Sequence, residues 1–532
     1  MDNILNIVPA PAKTIKRDGN FKSEKGLKIH FDKIKKSSNI FSAIPFKKTN
    51  VFFEFALSKE EANLIITYNE ALKKDEYILE INEDIIKIQA SSQCGLFYCL
   101  QTIKQIVQIK SKTVIIPCCK IHDYPRFKWR GFMLDESRHF FGKEFVKQTL
   151  DMMALNKMNI FHWHLTDDQG WRIEIKKYPL LASKGSIRKS TPLSIEAMND
   201  KTLPWDKSEY GRGLYYTQND ISEIVSYAKE RFIDIVPEID MPGHLSAAIA
   251  CYPELSCSGQ NIEVANEFGI LENIACCGKD TVYKFAYDII DELTQLFPFN
   301  YIHIGGDEVP KNKWKECPLC QKMIEEKDLE NEENLQGYFN NCLQAYIKSK
   351  GRHMIGWNEI LKASDLSNDT VIQWWCDDSG REKEWIESGN KAILSKIEYT
   401  YMDHLYGGKP LSKTYSFDLE AMGLSPESEK YILGIEAPLW TEYVRDTKKA
   451  HLNMYPRLQA VAEIAWTIKE NRNFENFLSR LVTQEKIMDE KNILRAKRNV
   501  YEPFGTDAKV RKDNDEFNFR NNPNCELKLN QY

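Results

Sequence analysis

Asp307 and Glu308 stand side by side behind an apolar run and two glycines, and their adjacency limits what they can do together. Glycosidases that use two carboxylates place them on either side of a sugar ring, roughly 5–9.5 Å apart, a span that neighbouring residues cannot easily straddle. One of the two must have a different role. A nearby negative charge and an apolar pocket both raise a carboxyl pKa, which would keep Glu308 protonated near neutral pH as a general acid. The plainer alternative is that both acids cap the following helix.

Comparable groups recur along the chain: Asp135-Glu-Ser-Arg138, His162-Trp-His-Leu-Thr-Asp167-Asp168, Glu238 with Pro242-Gly-His244, Gly356-Trp357-Asn-Glu359, Gln373-Trp-Trp375, Tyr401-Met-Asp403 and Trp440-Thr-Glu442. Each alone has a structural explanation, since a lone Asp is often a helix cap and a lone Trp is often core. Together they point to a sugar site, because aromatic rings take the apolar faces of a pyranose while charged groups take its hydroxyls. His162-Trp-His164 admits a metal reading. Such sites on barrels need further His or Lys ligands on late strands, where this chain has Trp, Glu and Tyr.

These groups sit at the ends of short, nearly continuous apolar runs, the pattern of parallel strands buried on both faces. The candidate strands are Arg130–Asp135, Met158–His164, Phe232–Glu238, Asn300–Gly306, His353–Trp357, Thr370–Trp375, Lys391–Ser395 and Tyr431–Ala437, with helical stretches such as Glu144–Asn156 and Ile221–Arg231 between them. Thr217-Gln-Asn-Asp220 opens the second of those helices in the manner of a capping box. Eight such units give an α/β fold, a (β/α)8 TIM barrel, whose catalytic groups project from the C-terminal strand ends. A doubly wound sheet is the alternative, but neither GxGxxG nor GxxxxGK[ST] is present to cradle a nucleotide. Residues 1–125 read as a small α/β domain, with strands at Asn63–Tyr68 and Tyr77–Asn82 and a helical run over 92–109. The barrel is expected over 126–480, and 481–532 as a helical extension ending in a solvated tail, Asp513–Gln531.

At 532 residues the chain exceeds one ordinary domain, and 42% hydrophobic with 28% charged residues is a globular balance rather than a disordered one. A net charge of −5 leaves no basic field for nucleic acid or anionic lipid. Neither a secretory leader nor an 18-residue apolar run is found, so a cytoplasmic location and no membrane partner are expected. Thirteen cysteines, including the adjacent pairs Cys118-Cys119 and Cys276-Cys277, suit reduced thiols better than a disulfide framework. Cys317-Pro-Leu-Cys320 has the spacing of half a zinc site, but no second CxxC or HxxxH follows to complete it, so no metal is expected.

The stretches Arg130-Gly-Phe-Met-Leu-Asp-Glu-Ser-Arg138-His139, Asn159-Ile-Phe-His-Trp-His-Leu-Thr-Asp167-Asp-Gln-Gly-Trp-Arg172, Pro237-Glu-Ile-Asp-Met-Pro-Gly-His244 and His303-Ile-Gly-Gly-Asp307-Glu308 resemble the family-20 glycoside hydrolases, the β-N-acetylhexosaminidases. Gly434-Ile-Glu-Ala-Pro-Leu-Trp440-Thr-Glu442 and Tyr455-Pro-Arg457 carry the resemblance onward, and the first 125 residues are similar to the family's small noncatalytic domain. The resemblance implies an exo-acting, retaining hydrolase of terminal β-linked N-acetylglucosamine or N-acetylgalactosamine, in which the substrate's own acetamido oxygen is the nucleophile. It implies Glu308 as acid and base, Asp307 on the acetamide N–H, Tyr401 on the acetamide oxygen, and Trp357, Trp375 and Trp440 around the methyl group. Arg138, Asp403 and Glu442 would take ring hydroxyls, and His244 with Asp167 would sit behind Glu308. Trp374 and Tyr399 are open alternatives to Trp375 and Tyr401. The implied partner is a carbohydrate with a terminal N-acetylhexosamine; no cofactor is implied, and a homodimer is left open. Two other functions remain: a sugar-binding protein without turnover, and a retaining glycosidase with Glu442 or Glu436 as nucleophile.

Overall fold

A computed structural model describes residues 5–24, 26–32, 53–110, 113–503 and 505. The expected tail, Asp513–Gln531, lies outside these residues. Eight parallel strands close into a barrel in chain order: β1 (Trp129–Asp135), β2 (Ile160–His164), β3 (Asp234–Glu238), β4 (Tyr301–His303), β5 (His353–Trp357), β6 (Val371–Trp374), β7 (Ala392–Leu394) and β8 (Ile432–Leu439), with β8 pairing back onto β1. Each coincides with one of the candidate strands. The fourth is shorter than its apolar run, because Gly305 and Gly306 leave the strand with positive φ, 66° and 90°. The capping box is present: Thr217 accepts from the Asp220 amide and Asp220 accepts from Thr217 N–H, opening the helix Gln218–Lys229.

The barrel interior is layered by chemistry. At the N-terminal end Trp129, Ile160, Val236, Ile355, Val371 and Ile393 form an apolar plug. Above it comes a buried polar layer of His162, Glu238, His303, Gln373 and Glu436. Glu436 Oε2 accepts from Trp129 Nε1 (2.8 Å), and its Oε1 takes His162 Nδ1 (2.7 Å) and Gln373 Nε2 (2.9 Å). Its side chain fills the space over Gly131, where a Cβ would meet Glu436 Oε2 at 2.3 Å. Buried carboxylates are tolerable only when paired, and Glu238 and Glu436 are each paired with the layer's imidazoles.

The first domain is a mixed sheet backed by the helix Gln93–Ile106. Lys13–Ser23 pairs antiparallel with Thr113–Asp123, and inward from these run Tyr77–Ile81, Ile86–Ala90, Leu64–Tyr68, Leu27–Asp32 and Phe53–Phe55. The helical run expected to 109 stops at Ile106, because Val107 is extended (ψ 139°) and Gln108–Lys110 pairs as a short strand. The seam with the barrel is charged and dry. Lys157 Nζ donates to Asp123 Oδ2 (2.7 Å) with both side chains at 0% exposure. Tyr77 OH (2.7 Å) and Trp466 Nε1 (2.9 Å) also donate to Asp123, while Arg130 Nη2 donates to Tyr98 OH (2.9 Å). The helix Phe474–Glu490 runs across position 480, where the extension was expected to begin. Its Arg480 forks onto Glu463 (2.5 and 2.7 Å) and donates to Ile7 O, tying the chain's early residues to the barrel.

Candidate active site

The strand ends converge as the barrel demands. After β4, Gly305 can turn because it lacks a side chain: a Cβ there would meet Asp240 Oδ1 at 1.9 Å. Asp240 in turn accepts the Gly306 N–H (3.0 Å). Glu308 then takes a left-handed φ of 48°, and His244 on the facing loop one of 47°. Left-handed non-glycine residues cost of order 1 kcal/mol each and persist where surroundings impose them.

His244 lies at the centre. Its Nδ1 is 3.2 Å from both Asp167 Oδ1 and Asp168 Oδ2, and its Nε2 is 3.5 Å from Glu308 Oε2 and 3.8 Å from Asp307 Oδ2. Burial opposes its protonation, but Asp167 and Asp168 outweigh burial and hold the imidazole charged, well above its usual range. Asp167 is held well below the usual carboxylate range, because Arg138 and His244 outweigh burial. His164 bridges Glu238 Oε2 (2.5 Å) and Asp167 Oδ2 (2.9 Å), linking the mouth to the polar layer beneath.

Asp307 and Glu308 differ in environment. Asp307 is 8% exposed, and its Oδ1 is buried without a hydrogen-bond partner. Burial, then Asp240, pushes its carboxyl well above the normal range. Asp240 is itself raised to about 7 by burial and by Glu238 and Asp167. Ligand atoms of Asp240, His244 and Asp307 all lie within 4.8 Å of one another, so the two carboxyls share one small volume. The Glu308 side chain keeps 31% exposure.

The aromatic wall is continuous. Trp357 and Trp440 lie 5.7 Å apart, Tyr401 and Trp440 6.4 Å, and Trp375 stacks on Tyr401 at 5.9 Å and 22°. Trp357 Nε1 donates to Glu238 Oε1 (2.8 Å), and Trp375 Nε1 to Glu359 Oε2 (2.8 Å). Trp374 instead turns its Nε1 to Cys376 O, and Tyr399 packs on Phe417, so the two alternatives face away from this wall. Arg138 is held by Asp167 (2.8 Å), Asp135 (3.2 Å) and Gln169 (2.8 Å), over the face of Trp440, with Glu442 3.8 Å away. Asp403 has a buried Oδ1 without a partner. Glu442 is raised to about 7, chiefly by burial. Glu436, one alternative nucleophile, is fully buried and bonded on both oxygens inside the barrel. A cavity of about 760 Å3 lies between 201–207 and 263–273 and contains none of these groups. Its Glu267 carbonyl is joined to Arg138 through Gln169.

Sequence reasoning gave no role to Asp168, Asp240 or Glu359. Asp240 lay inside a quoted motif, but its pairing depends on the turn at Gly305-Gly306, which places a backbone amide on it. Glu359 is raised to about 8 by burial and by Asp307. Buried Lys409 is lowered to about 7 by burial and donates to Tyr401 O (3.1 Å), fixing that tyrosine's backbone.

A parallel barrel that brings adjacent acids and a wall of indole rings to its C-terminal strand ends is the arrangement of a glycoside hydrolase. The profile of glycosyl hydrolase family 20, catalytic domain, matches residues 127–469, and that of domain 2 of the same family matches 5–124. A beta-hexosaminidase of Porphyromonas gingivalis is 34% identical over 505 residues, 90% of this chain and 63% of its own length. One of Vibrio furnissii is 32% identical, over 86% and 76% respectively. Among solved structures, a Vibrio harveyi exo β-N-acetylglucosaminidase in complex with N-acetylglucosamine superposes with a TM-score of 0.81 at 29% identity, covering 93% of this chain and 78% of that one. A Bacteroides fragilis β-N-acetylhexosaminidase gives 0.78 at 30%, covering 95% and 99%. The chain belongs to glycosyl hydrolase family 20, the β-N-acetylhexosaminidases, and is an enzyme of that class. Among the described residues no helix is long and apolar enough to cross a membrane.

Proposed function

We propose that this chain releases terminal β-linked N-acetylglucosamine or N-acetylgalactosamine by retaining, substrate-assisted hydrolysis, with Glu308 as the acid. The observation that carries the residue assignment is the contrast within the adjacent pair: a buried Asp307 with an unpartnered acceptor oxygen beside a half-buried, solvent-accessible Glu308. The acetamido oxygen of the bound sugar attacks its own C1 as the C1–O bond breaks, and Glu308 gives its proton to the leaving oxygen. A cyclic oxazolinium forms. Glu308, now a carboxylate, takes a proton from water; the water oxygen bonds to C1 on the original face, the acetamide oxygen leaves, and Glu308 is protonated again.

Asp307, once ionised, accepts the acetamide N–H and balances the ring's developing positive charge. Both carboxyls, those of Asp240 and Asp307, are raised in one small volume, Asp307 the further, so accepting the acetamide N–H requires Asp307 to give up its proton as positive charge develops on the sugar. His244, anchored by Asp167 and Asp168, sits behind Glu308 as a charged donor. Trp357, Trp375 and Trp440 enclose the methyl group and Tyr401 holds the acetamide oxygen, while Arg138, Asp403 and Glu442 take ring hydroxyls. The test is turnover of a chromogenic β-N-acetylglucosaminide against the matching β-glucoside, which lacks the acetamido group. Hydrolysis of the first alone is expected; equal rates on both, or a sugar ester trapped on the protein, would refute the assignment.

A further inference from the structure

Four cysteines, far apart in sequence, meet between the segments that follow β3 and β4. Cys276 Sγ lies 3.7 Å from Cys317 Sγ and 3.6 Å from Cys320 Sγ, and Cys257 Sγ lies 3.9 Å from Cys320 Sγ. All four sulfurs fall within 4.8 Å of one another, and none is in a disulfide. Four thiolates at about 2.3 Å from a central zinc ion in tetrahedral geometry stand about 3.8 Å apart, which is the spacing seen here. We propose that Cys257, Cys276, Cys317 and Cys320 hold a structural zinc ion.

The surroundings are built to the same end. Cys317 is the N-cap of the helix Pro318–Glu326, with Pro318 at its first position, so Cys317 and Cys320 project from one helix start. The positive end of that helix favours the thiolates that zinc requires. Gly278 must be glycine: a Cβ would meet Leu319 C at 2.3 Å and Cys320 N at 2.5 Å, so the two cysteine-bearing loops cross in backbone contact. Cys276, Cys317 and Cys320 are buried, and Cys257 closes the site from its half-exposed loop. Soft sulfur donors in this number and geometry select zinc or iron over magnesium or calcium.

The sequence showed only half of this site because its other ligands precede the CxxC, with Cys276 lying 41 residues before Cys317. The site joins the segment after β3, which carries His244, to the segment after β4, which carries Asp307 and Glu308. Trp314 Nε1 donates to Ala275 O (2.8 Å) and the Ala275 amide to Pro242 O (2.9 Å), so the clamp bears directly on the Pro242-Gly-His244 turn. Zinc therefore acts here as a staple between two catalytic loops, outside the reaction itself.

The experiment uses the untagged full chain, purified from zinc-supplemented medium, with metal content by plasma mass spectrometry and zinc-edge X-ray absorption. One zinc per chain with four sulfur neighbours at about 2.3 Å is expected. Cys317→Ser should lower zinc content about tenfold or more and lower the unfolding temperature, while Cys342→Ser, away from the cluster, retains the metal. Metal-free protein with titratable thiols or disulfides at these positions, iron in place of zinc, or zinc with nitrogen and oxygen neighbours would each overturn the proposal. The wild-type stoichiometry decides even if Cys317→Ser fails to fold, and none of these readings depends on turnover.

Discussion

Replacing Asp240 by Asn tests the electrostatics of the site. The carboxyl is fully buried and raised from 3.8 to about 7, so in the folded protein it binds its proton more tightly than in the unfolded chain. Folding then takes up a proton between these values, and stability is complete below about pH 4 and falls as pH rises towards about 7. At about 1.4 kcal/mol for each pH unit between those values, roughly 4 kcal/mol of stability is forgone above pH 7. Asn keeps an oxygen to accept the Gly306 amide, now bonded at 3.0 Å, and offers an N–H towards Asp307 where Asp240 Oδ2 has no partner. Urea unfolding of both proteins from pH 4 to 8.5 should show similar stability at the acid end and an advantage for Asp240→Asn growing to between about 1 and 4 kcal/mol at the alkaline end. The pH–rate profile should also move, because Asp240 leads, after burial, the causes that raise Asp307. Parallel stability curves across the range would refute the raised carboxyl of Asp240.

Glu308→Gln should lower kcat on an N-acetylglucosaminide with a poor leaving group by about 10²–10⁴, and by much less on one whose leaving group needs no protonation; equal losses on both would remove Glu308 from the acid role. Trp375→Phe keeps a ring against Tyr401 but deletes the donor to Glu359, so KM should rise about tenfold with kcat little changed. A fall in kcat alone would place Trp375 elsewhere in the reaction. Arg480→Met strands the buried Glu463, which Arg480 now grips at 2.5 and 2.7 Å, and should cost about 3–5 kcal/mol by chemical denaturation; a loss under about 1 kcal/mol would mean that Tyr415 and the Ala10 amide hold Glu463 unaided.

The barrel was legible because its strands are buried on both faces and so appear as unbroken apolar runs, and because the groups at their ends do not suit a core. Asp307 and Glu308 were conspicuous by adjacency alone. What stayed hidden depends on tertiary placement. Trp374 and Trp375 are one residue apart, and only the end of β6 determines which indole meets Tyr401. Asp240 is a mid-motif acid until the Gly305-Gly306 turn brings an amide and a second carboxyl to it. The cysteine cluster spans 63 residues from Cys257 to Cys320, beyond any local pattern. Lys157 and Asp123 lie 34 residues apart on either side of a domain boundary, yet they meet at zero exposure.

That last pairing governs how the chain may be cut. A protein trimmed to start at position 126 would take Asp123 and Tyr77 from Lys157, deprive Arg130 of the Tyr98 hydroxyl, and bare the Trp466 ring, which now meets that of Tyr98 edge to edge at 5.1 Å. Each loss falls on the shell of the catalytic barrel, and the apolar surface bared there would invite association between copies. The leading domain thus serves as a fitted lid on the barrel's flank, and an engineer seeking a minimal catalyst from this chain would have to redesign that flank before removing it.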